Sequence, residues 1–277
     1  MVEFNQRVIE EFRRNGGRVG GMFEGAPLVL LTTQGARSGA PRTNPAVYFR
    51  DGARLLVFAS NAGAPHHPAW YHNLLAYPQV TVEIGEDGRL RTYATQATPL
   101  EGAERDRHYR EQAERDPAFA EYQRKTTRVI PVVALHPLAL GDGSARVEAV
   151  SAQLRRHHAE LRAELARLRE ALAAGVVPDA PQRALAEHCL TFCDHLDLHH
   201  IRENGAFTAF EDHSPALRPA IARLRAEHHV VAEKLAELRS VLTGGADPGR
   251  IGAALDRITD GLEEHFAYEE ASLFPAA

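Results

Sequence analysis

The chain writes one polar signature twice. His199-His200-Ile201-Arg202-Glu203 and His265-Phe266-Ala267-Tyr268-Glu269 each set a histidine and a glutamate four residues apart, which is one turn of an α-helix. The repeat reaches beyond these fragments. Displaced by 70 residues, Leu224, His228, Leu235, Leu238 and Leu242 fall on Leu154, His158, Leu165, Leu168 and Leu172. Displaced by 66, Ile258, Leu262, His265 and Glu269 fall on Phe192, Leu196, His199 and Glu203. Leucines at this spacing belong to any helical bundle, but polar residues in register with them do not. Beyond Val147 the chain therefore reads as two copies of a helix pair, over about 154–172, 183–203, 217–242 and 248–273. VVPDAPQ (176–182) and Gly244-Gly245 are the breaks. Four such helices with short connections predict an all-α up-down four-helix bundle.

The register places chemistry inside that bundle. His158 lies between Leu154 and Leu161 on the apolar stripe, and His228, His199 and His265 hold the same position in their helices. Four imidazoles and two carboxylates then face inward near one level. Unpartnered buried carboxylates cost several kcal/mol each, so the group must share protons, pair, or bind cations. Imidazole with carboxylate suits divalent iron, manganese or zinc, and Glu203 and Glu269 are the candidates to bridge two ions. Ten of the fifteen histidines lie beyond residue 150. His157, His188, His195, His213 and His229 have no counterpart in the repeat and read as surface residues.

The first half has a different period. Phe4, Val8 and Phe12 line one face of an opening helix, and the short apolar runs 27–33, 44–49, 54–60, 79–84 and 129–135 read as strands, with turn signals at Asp51-Gly52 and Asp87-Gly88. Helices are expected at about 68–77 and 101–125. This predicts an α+β domain, a small barrel or curved sheet, over 1–138, a linker over 139–150 and the bundle over 151–277.

Two stretches of this half are suited to a ligand. TTQGARSGAPRTNP follows a strand and gathers Gly35, Arg37, Ser38, Gly39 and Arg42 in one turn, where backbone N–H groups, a hydroxyl and two guanidinium groups can meet an anion; the same residues also make an ordinary solvated hairpin. In ASNAGAPHHPAWYHNLLAYP a strand ends at Ser60, a glycine loop follows, and a helix opens at Pro68 with Trp70 and Tyr71, a place for an anion beside a flat ring, with Trp70 as plain core the competing reading. No nucleophile and base stand together, so chemistry here belongs to a cofactor.

FCDHLDLHHIRE and LEEHFAYEEASLFP, with the lone His158 and His228, resemble the hemerythrin-like HHE cation-binding domain over about 150–277. The resemblance implies a non-haem di-iron centre at His158, His199, Glu203, His228, His265 and Glu269, with His200 a seventh candidate. The oxygen-carrying members place a second histidine four residues after the first in the third helix, where this chain has Ala232, which implies a more open metal suited to sensing or reacting with dioxygen, nitric oxide or peroxide. Phe4 to Pro137 resembles the deazaflavin-dependent nitroreductase family, through NGGRVGGMFEGAPLVLLTTQGARSGAPRTNP, FASNAGAPHHPAWYHNLLAYPQVTVEI and YQRKTTRVIPVVAL. That family implies a split β-barrel related to FMN-binding oxidases, holding reduced coenzyme F420, a 5-deazaflavin that passes a hydride to quinones or nitro compounds. By resemblance Arg37, Ser38 and Arg42 hold the phosphate and glutamyl tail. Ser60, Asn61, Ala62 and Gly63 line the ring or its linker, Trp70 lies nearby, and Tyr122 and Phe119 border the substrate mouth. Related barrels bind FMN or haem, which stay open as alternatives, and usually form homodimers.

No run of about 18 apolar residues is present, the amphipathic N-terminus is unlike a signal peptide, and the net charge of −5 shows no basic face for nucleic acid. Cys189 and Cys193 share a helical stripe with Phe192 and Leu196, as buried thiols of a reducing compartment would. The expectation is a cytoplasmic deazaflavin-dependent oxidoreductase fused to a di-iron domain; the alternative is a non-catalytic iron or oxygen sensor or ligand-binding protein.

Overall fold

Six strands close on themselves in the first half of the chain. β1 (Leu28–Gln34), β2 (Pro41–Asp51), β3 (Arg54–Phe58), β4 (Gln79–Glu86), β5 (Arg89–Pro99) and β6 (Val132–Pro137) form a barrel in the order β1-β2-β3-β6-β5-β4. Every neighbouring pair is antiparallel. Closure pairs both edges of each strand. This computed structural model describes residues 2–141, 144–173, 180–244 and 248–273, and the chain divides into two units, Met1–Leu138 and Ala139–Ala277.

Five of the strands coincide with the apolar runs of the sequence; β5 does not. RLRTYATQATP has no apolar run, and of its residues only Thr95 and Ala97 are buried. Its ladders make it a strand. It pairs with β4 from Glu86↔Arg89 to Gln79↔Gln96, across the two-residue turn Asp87-Gly88, and with β6 from Thr95↔Pro137 to Pro99↔Val133.

The alternation of the strands builds two packed faces. Val29, Leu31, Leu55, Val57, Val82, Ile84, Val133 and Leu135 fill the interior, plugged by Trp70 and Leu74 of a helix, Ala69–Ala76. On the other face of β1, Leu28 and Leu30 meet Val8, Ile9 and Phe12 of the opening helix α1 (Val2–Arg14), and that Ala69–Ala76 helix is α2. The single helix expected over 101–125 is two, α3 (Gly102–Arg115) and α4 (Pro117–Arg124). Pro117 brings no N–H, and the Asp116 carboxylate accepts from Ala118 N at 3.0 Å to start the second helix.

The second unit is the helical bundle: α5 (Ser144–Ala173), α6 (Ala180–His213), α7 (Arg218–Thr243), α8 (Pro248–Thr259) and α9 (Leu262–Leu273). Three differences from the sequence reading have physical causes. The segment expected as a linker over 139–150 is helical from Ser144. α6 continues past Glu203 through Asn204-Gly205, because Phe207 and Phe210 are buried; each side chain contributes about 1.5–3 kcal/mol. That outweighs the roughly 1 kcal/mol that a glycine costs in a helix interior. The fourth helix is interrupted at Asp260-Gly261. Of the expected breaks, 176–179 and Gly245 lie outside the described residues, as does Phe274. Leu161, Leu165, Leu168, Phe192, Leu196, Leu235, Leu238, Leu255, Ile258 and Leu262 form the core. No described helix is long and apolar enough to cross a membrane.

Candidate cofactor and metal sites

In the barrel unit the turn between β1 and β2 carries the charged residues. Gly35 N donates to Ala40 O at 2.9 Å and Gly39 N to Gly35 O at 2.8 Å, so the loop is closed upon itself with Arg37 and Ser38 exposed at its tip. Arg42 opens β2 opposite Thr33, also exposed. No ion pair joins Arg37 or Arg42 to a carboxylate among the described residues. Asn73 of α2, which sequence reasoning passed over, pins this turn: its Oδ1 accepts from Ala36 N at 3.0 Å and its Nδ2 donates to Thr33 Oγ1 at 3.1 Å.

The loop after β3 is held open by a second residue that the sequence did not single out. Arg128 donates to the carbonyls of Ala59 (3.1 Å), Ser60 (2.6 Å) and Ala64 (2.9 Å) and to His67 Nδ1 (2.9 Å). Because a guanidinium only donates, His67 Nδ1 is the acceptor and its proton sits on Nε2. Burial and the charge of Arg128 keep His67 below its ordinary value. With the carbonyls turned onto Arg128, Asn61 (φ 47°), Ala62 (φ 51°) and Gly63 (φ 79°) follow in the left-handed region. Gly63 N and Ala64 N close back on Ser60 O and Asn61 O at 2.9 Å, so the concavity of backbone N–H groups suited to an anion or a ring carbonyl falls to Asn61 and Ala62. At Gly63 any side chain would meet the Tyr122 carbonyl at 2.7 Å, so glycine lets α4 close over the loop. Tyr122 is half-buried there. Trp70 takes the core position that was its competing reading, and Phe119 lies deeper than a residue bordering the substrate mouth. Trp70 is 6 % exposed among the barrel side chains, and Phe119 is 4 % exposed, edge-on to Phe58 and Tyr122 at 5.4 Å.

In the bundle all the repeated residues converge. His158, His199, His228, His265, Glu203 and Glu269 are buried, and the ligating atoms fall into two groups, each within 4.8 Å: His200, Glu203, His228 and His265; and His158, His199 and Glu203. Glu203 belongs to both. Glu269 falls in neither group, though its Oε2 lies 3.4 Å from His158 Nε2. His200 Nε2, Glu203 Oε2, His228 Nε2, His265 Nε2 and both Glu269 oxygens have no hydrogen-bond partner. His199 Nε2 lies 2.8 Å from Glu203 Oε1 without the alignment of a hydrogen bond. Outward-facing nitrogens are fixed instead: His158 Nδ1 contacts Glu270 Oε1 at 2.8 Å, His228 Nδ1 contacts Asn204 Oδ1 at 3.0 Å, and His265 Nδ1 contacts Glu227 Oε2 at 2.7 Å. Each acceptor holds a proton on Nδ1 and turns Nε2 inward, where a metal would take the lone pair; in the metal-free chain Glu203 and Glu269 raise His158 to about 10, so it carries a second proton on Nε2. Burial lowers His200 well below its usual value and His228 to about 3, so both are neutral. Burial and the charge of Glu203 raise Glu269 to about 8.

A sequence model described as F420H(2)-dependent quinone reductase matches residues 5–137, and one described as hemerythrin HHE cation binding domain matches residues 149–277. An F420H(2)-dependent quinone reductase of Mycobacterium tuberculosis is 38 % identical over 128 residues, 45 % of this chain and 83 % of that protein. The chain belongs to the F420H(2)-dependent quinone reductase family. Its barrel is that family's domain, a deazaflavin-dependent oxidoreductase, and its bundle is a hemerythrin HHE domain. A solved F420-H2 dependent reductase is 39 % identical, covering 40 % of this chain and 94 % of that one with a TM-score of 0.36; a domain-swapped dimer is 35 % identical, covering 49 % and 96 %, with a TM-score of 0.38.

The donors of the quinone reductase domain fit an acidic coenzyme: two guanidinium groups without carboxylate partners on a pinned turn, and a loop whose carbonyls are taken by Arg128. Those of the HHE domain fit metal, since unpartnered imidazole and carboxylate atoms face one another while the outer nitrogens of His158, His228 and His265 are tied. One histidine that the sequence reading put at the surface departs from it. His157 is half-buried with its ring 5.9 Å from His199, whereas His229 is 78 % exposed, as expected. His200, the seventh candidate of the sequence reading, groups with Glu203, His228 and His265.

Proposed function

We propose that the chain reduces quinones with reduced F420, and that its HHE domain holds two iron ions that sense or react with dioxygen, nitric oxide or peroxide. The observation that carries the reductase reading is the turn pinned by Asn73, with Arg37 and Arg42 free of carboxylate partners among the described residues, on the same barrel as the Arg128-held loop. The bound coenzyme supplies a hydride. Arg37, Ser38 and Arg42 take its phosphate and glutamyl end, and the backbone of Ser60, Asn61, Ala62 and Gly63 faces its ring or linker. Tyr122 borders the acceptor. His67, whose proton sits on Nε2, is placed by Arg128 beside this loop.

The HHE ligands are His158, His199, His228, His265, Glu203 and Glu269, with Glu203 between the ions. Iron supplies one-electron chemistry toward small oxidants, and manganese or zinc would accept the same donors. A cytoplasmic setting suits the buried thiols of Cys189 and Cys193, which burial pushes up to about 11 and about 12. Fluorescence titration with F420 and steady-state turnover of menadione test the reductase; elemental analysis of the purified chain tests the metal. Micromolar F420 binding with turnover is expected. Binding without turnover would reduce the barrel to a coenzyme-sequestering module, and no binding would end the reductase reading.

A further inference from the structure

Both copies of the helix pair hold an aromatic ring at the same place, and only one of those rings can bind a metal. His200 and Phe266 are equivalent in the repeat, as are His228 and His158. Phe266 stacks on His158 with centroids 4.1 Å apart and planes at 17°; His200 stacks on His228 at 4.2 Å and 17°. The slot is thus one geometry used twice. Phe266 shows that packing alone is met by a hydrocarbon ring, 1 % exposed. His200, 4 % exposed, puts a nitrogen there at the expense of desolvation, and its Nε2 has no hydrogen-bond partner. Its ligating atom instead lies within 4.8 Å of those of Glu203, His228 and His265, which come from α6, α7 and α9.

The third helix cannot provide an equivalent group. One turn after His228 stands Ala232, and it is exposed, so that position points away from the site. The next residue on the buried side, Val231, is apolar and 8 % exposed. The extra imidazole therefore enters from α6, beside His199.

We infer that His200 is a metal ligand that makes the two ions unequal, one held by His200, His228 and His265 and the other by His158 and His199, with Glu203 shared between them. This rests on the reading that the HHE domain binds two ions. The repeat would make the ion sites equivalent; the exchange of Phe for His at one slot separates them.

The test uses the full chain, stripped of metal and loaded anaerobically with ferrous iron alone. His200→Phe is the main variant, because the other copy already accepts that ring in the same slot, and His200→Gln is the second, polar and of similar reach but without imidazole. Iron per chain is measured during titration with a competing chelator, alongside helical circular dichroism of the metal-free chains. The wild-type chain is expected to hold two ions. Both variants should surrender one of them at a chelator concentration at least about tenfold lower, within the range that loss of a supporting metal contact produces, with helix content unchanged. Two ions in both variants with wild-type chelator resistance would overturn the assignment of His200 while leaving the metal centre intact. A wild-type chain that takes up no iron would overturn the underlying reading instead.

Discussion

Glu203 Oε1 lies 2.8 Å from His199 Nε2 and 3.3 Å from His158 Nε2, while its Oε2 lies 3.4 Å from His228 Nε2. One carboxylate thereby faces both groups of imidazoles, each oxygen toward a different one. Replacing it should affect both ions, not one: Glu203→Ala is expected to take bound iron from two equivalents toward none, and elemental analysis that still found two would exclude the bridging role. Glu270→Gln acts at one remove, through His158 Nδ1, and should weaken iron binding by about 10- to 100-fold without abolishing it. Much of this was legible in the sequence, because inward-facing residues must recur with the helix period and the repeat marks which of them are polar. The outer acceptors were not. Asn204 and Glu270 are equivalent in the repeat and do the same work for His228 and His158, but an exposed-looking Asn or Glu beside a ligand has no periodic signature. Nor could spacing show that Trp70 and Phe119 turn into packed interiors, since aromatic residues fit a core and a cleft equally well.

At the scale of elements, the loop over Ser60–Ala64 depends on a guanidinium that arrives from far along the chain. Arg128 reaches three carbonyls and His67 Nδ1 at once, a fork that a lysine ammonium cannot reproduce. Hydrogen bonds to charged groups contribute about 1.5–3 kcal/mol each, but Arg128 is only partly buried, so the net loss in Arg128→Ala is nearer about 2–4 kcal/mol. Arg128→Lys should fall between. Both should raise the Kd for F420 by at least about tenfold in fluorescence titration, and unchanged affinity would detach the loop from the coenzyme. The partnership spans 64 residues to Ala64, which is why no local pattern announced it. β5 escaped for a related reason, its strand character residing in partners on β4 and β6. The helices of the bundle were legible because their apolar stripe is local, and only the extension of α6 through Gly205 needed the burial of Phe207 and Phe210 to be known. Within the metal-free bundle the same burial sets a pH dependence. From about pH 3 to 6.5, His228, lowered to about 3, and His200, held well below its usual value by burial, stay neutral while the unfolded chain takes up protons, so stability rises with pH. Glu269, raised from 4.5 to about 8, opposes this with one proton against two. Above 6.5 the balance reverses. Burial would lower His158, but Glu203 and Glu269 outweigh it and raise it to about 10, so His158 and Glu269 keep protons that the unfolded chain has lost, and stability falls toward pH 10. Thermal melts of the metal-free chain should therefore peak near pH 6.5, and an optimum at pH 8 or above would contradict these assignments. Iron displaces the protons and should move the optimum upward.

For the whole molecule the question is whether two chemistries on one chain depend on each other. Each unit has its own core: Trp70 and Leu74 close the barrel, and Phe192, Leu196, Leu235 and Leu255 fill the bundle. Each should then respond to its own ligand. A ligand that binds only the folded state stabilises by about 2.7 kcal/mol at a hundredfold excess over its Kd, so F420 should raise the melting of the barrel and iron that of the bundle. The chemistry points the same way. A deazaflavin works in two-electron hydride steps and an iron pair in single-electron steps, so quinone reduction requires nothing from the metal. Glu203→Ala, stripped of iron, is expected to reduce menadione with kcat within about twofold of wild type, a change of less than about 0.5 kcal/mol in the barrier. A fall of tenfold or more, with F420 affinity unchanged, would show that electrons or conformational signals pass between the units. In that case the HHE domain would be a part of the reductase cycle and not a separate reporter of oxidants.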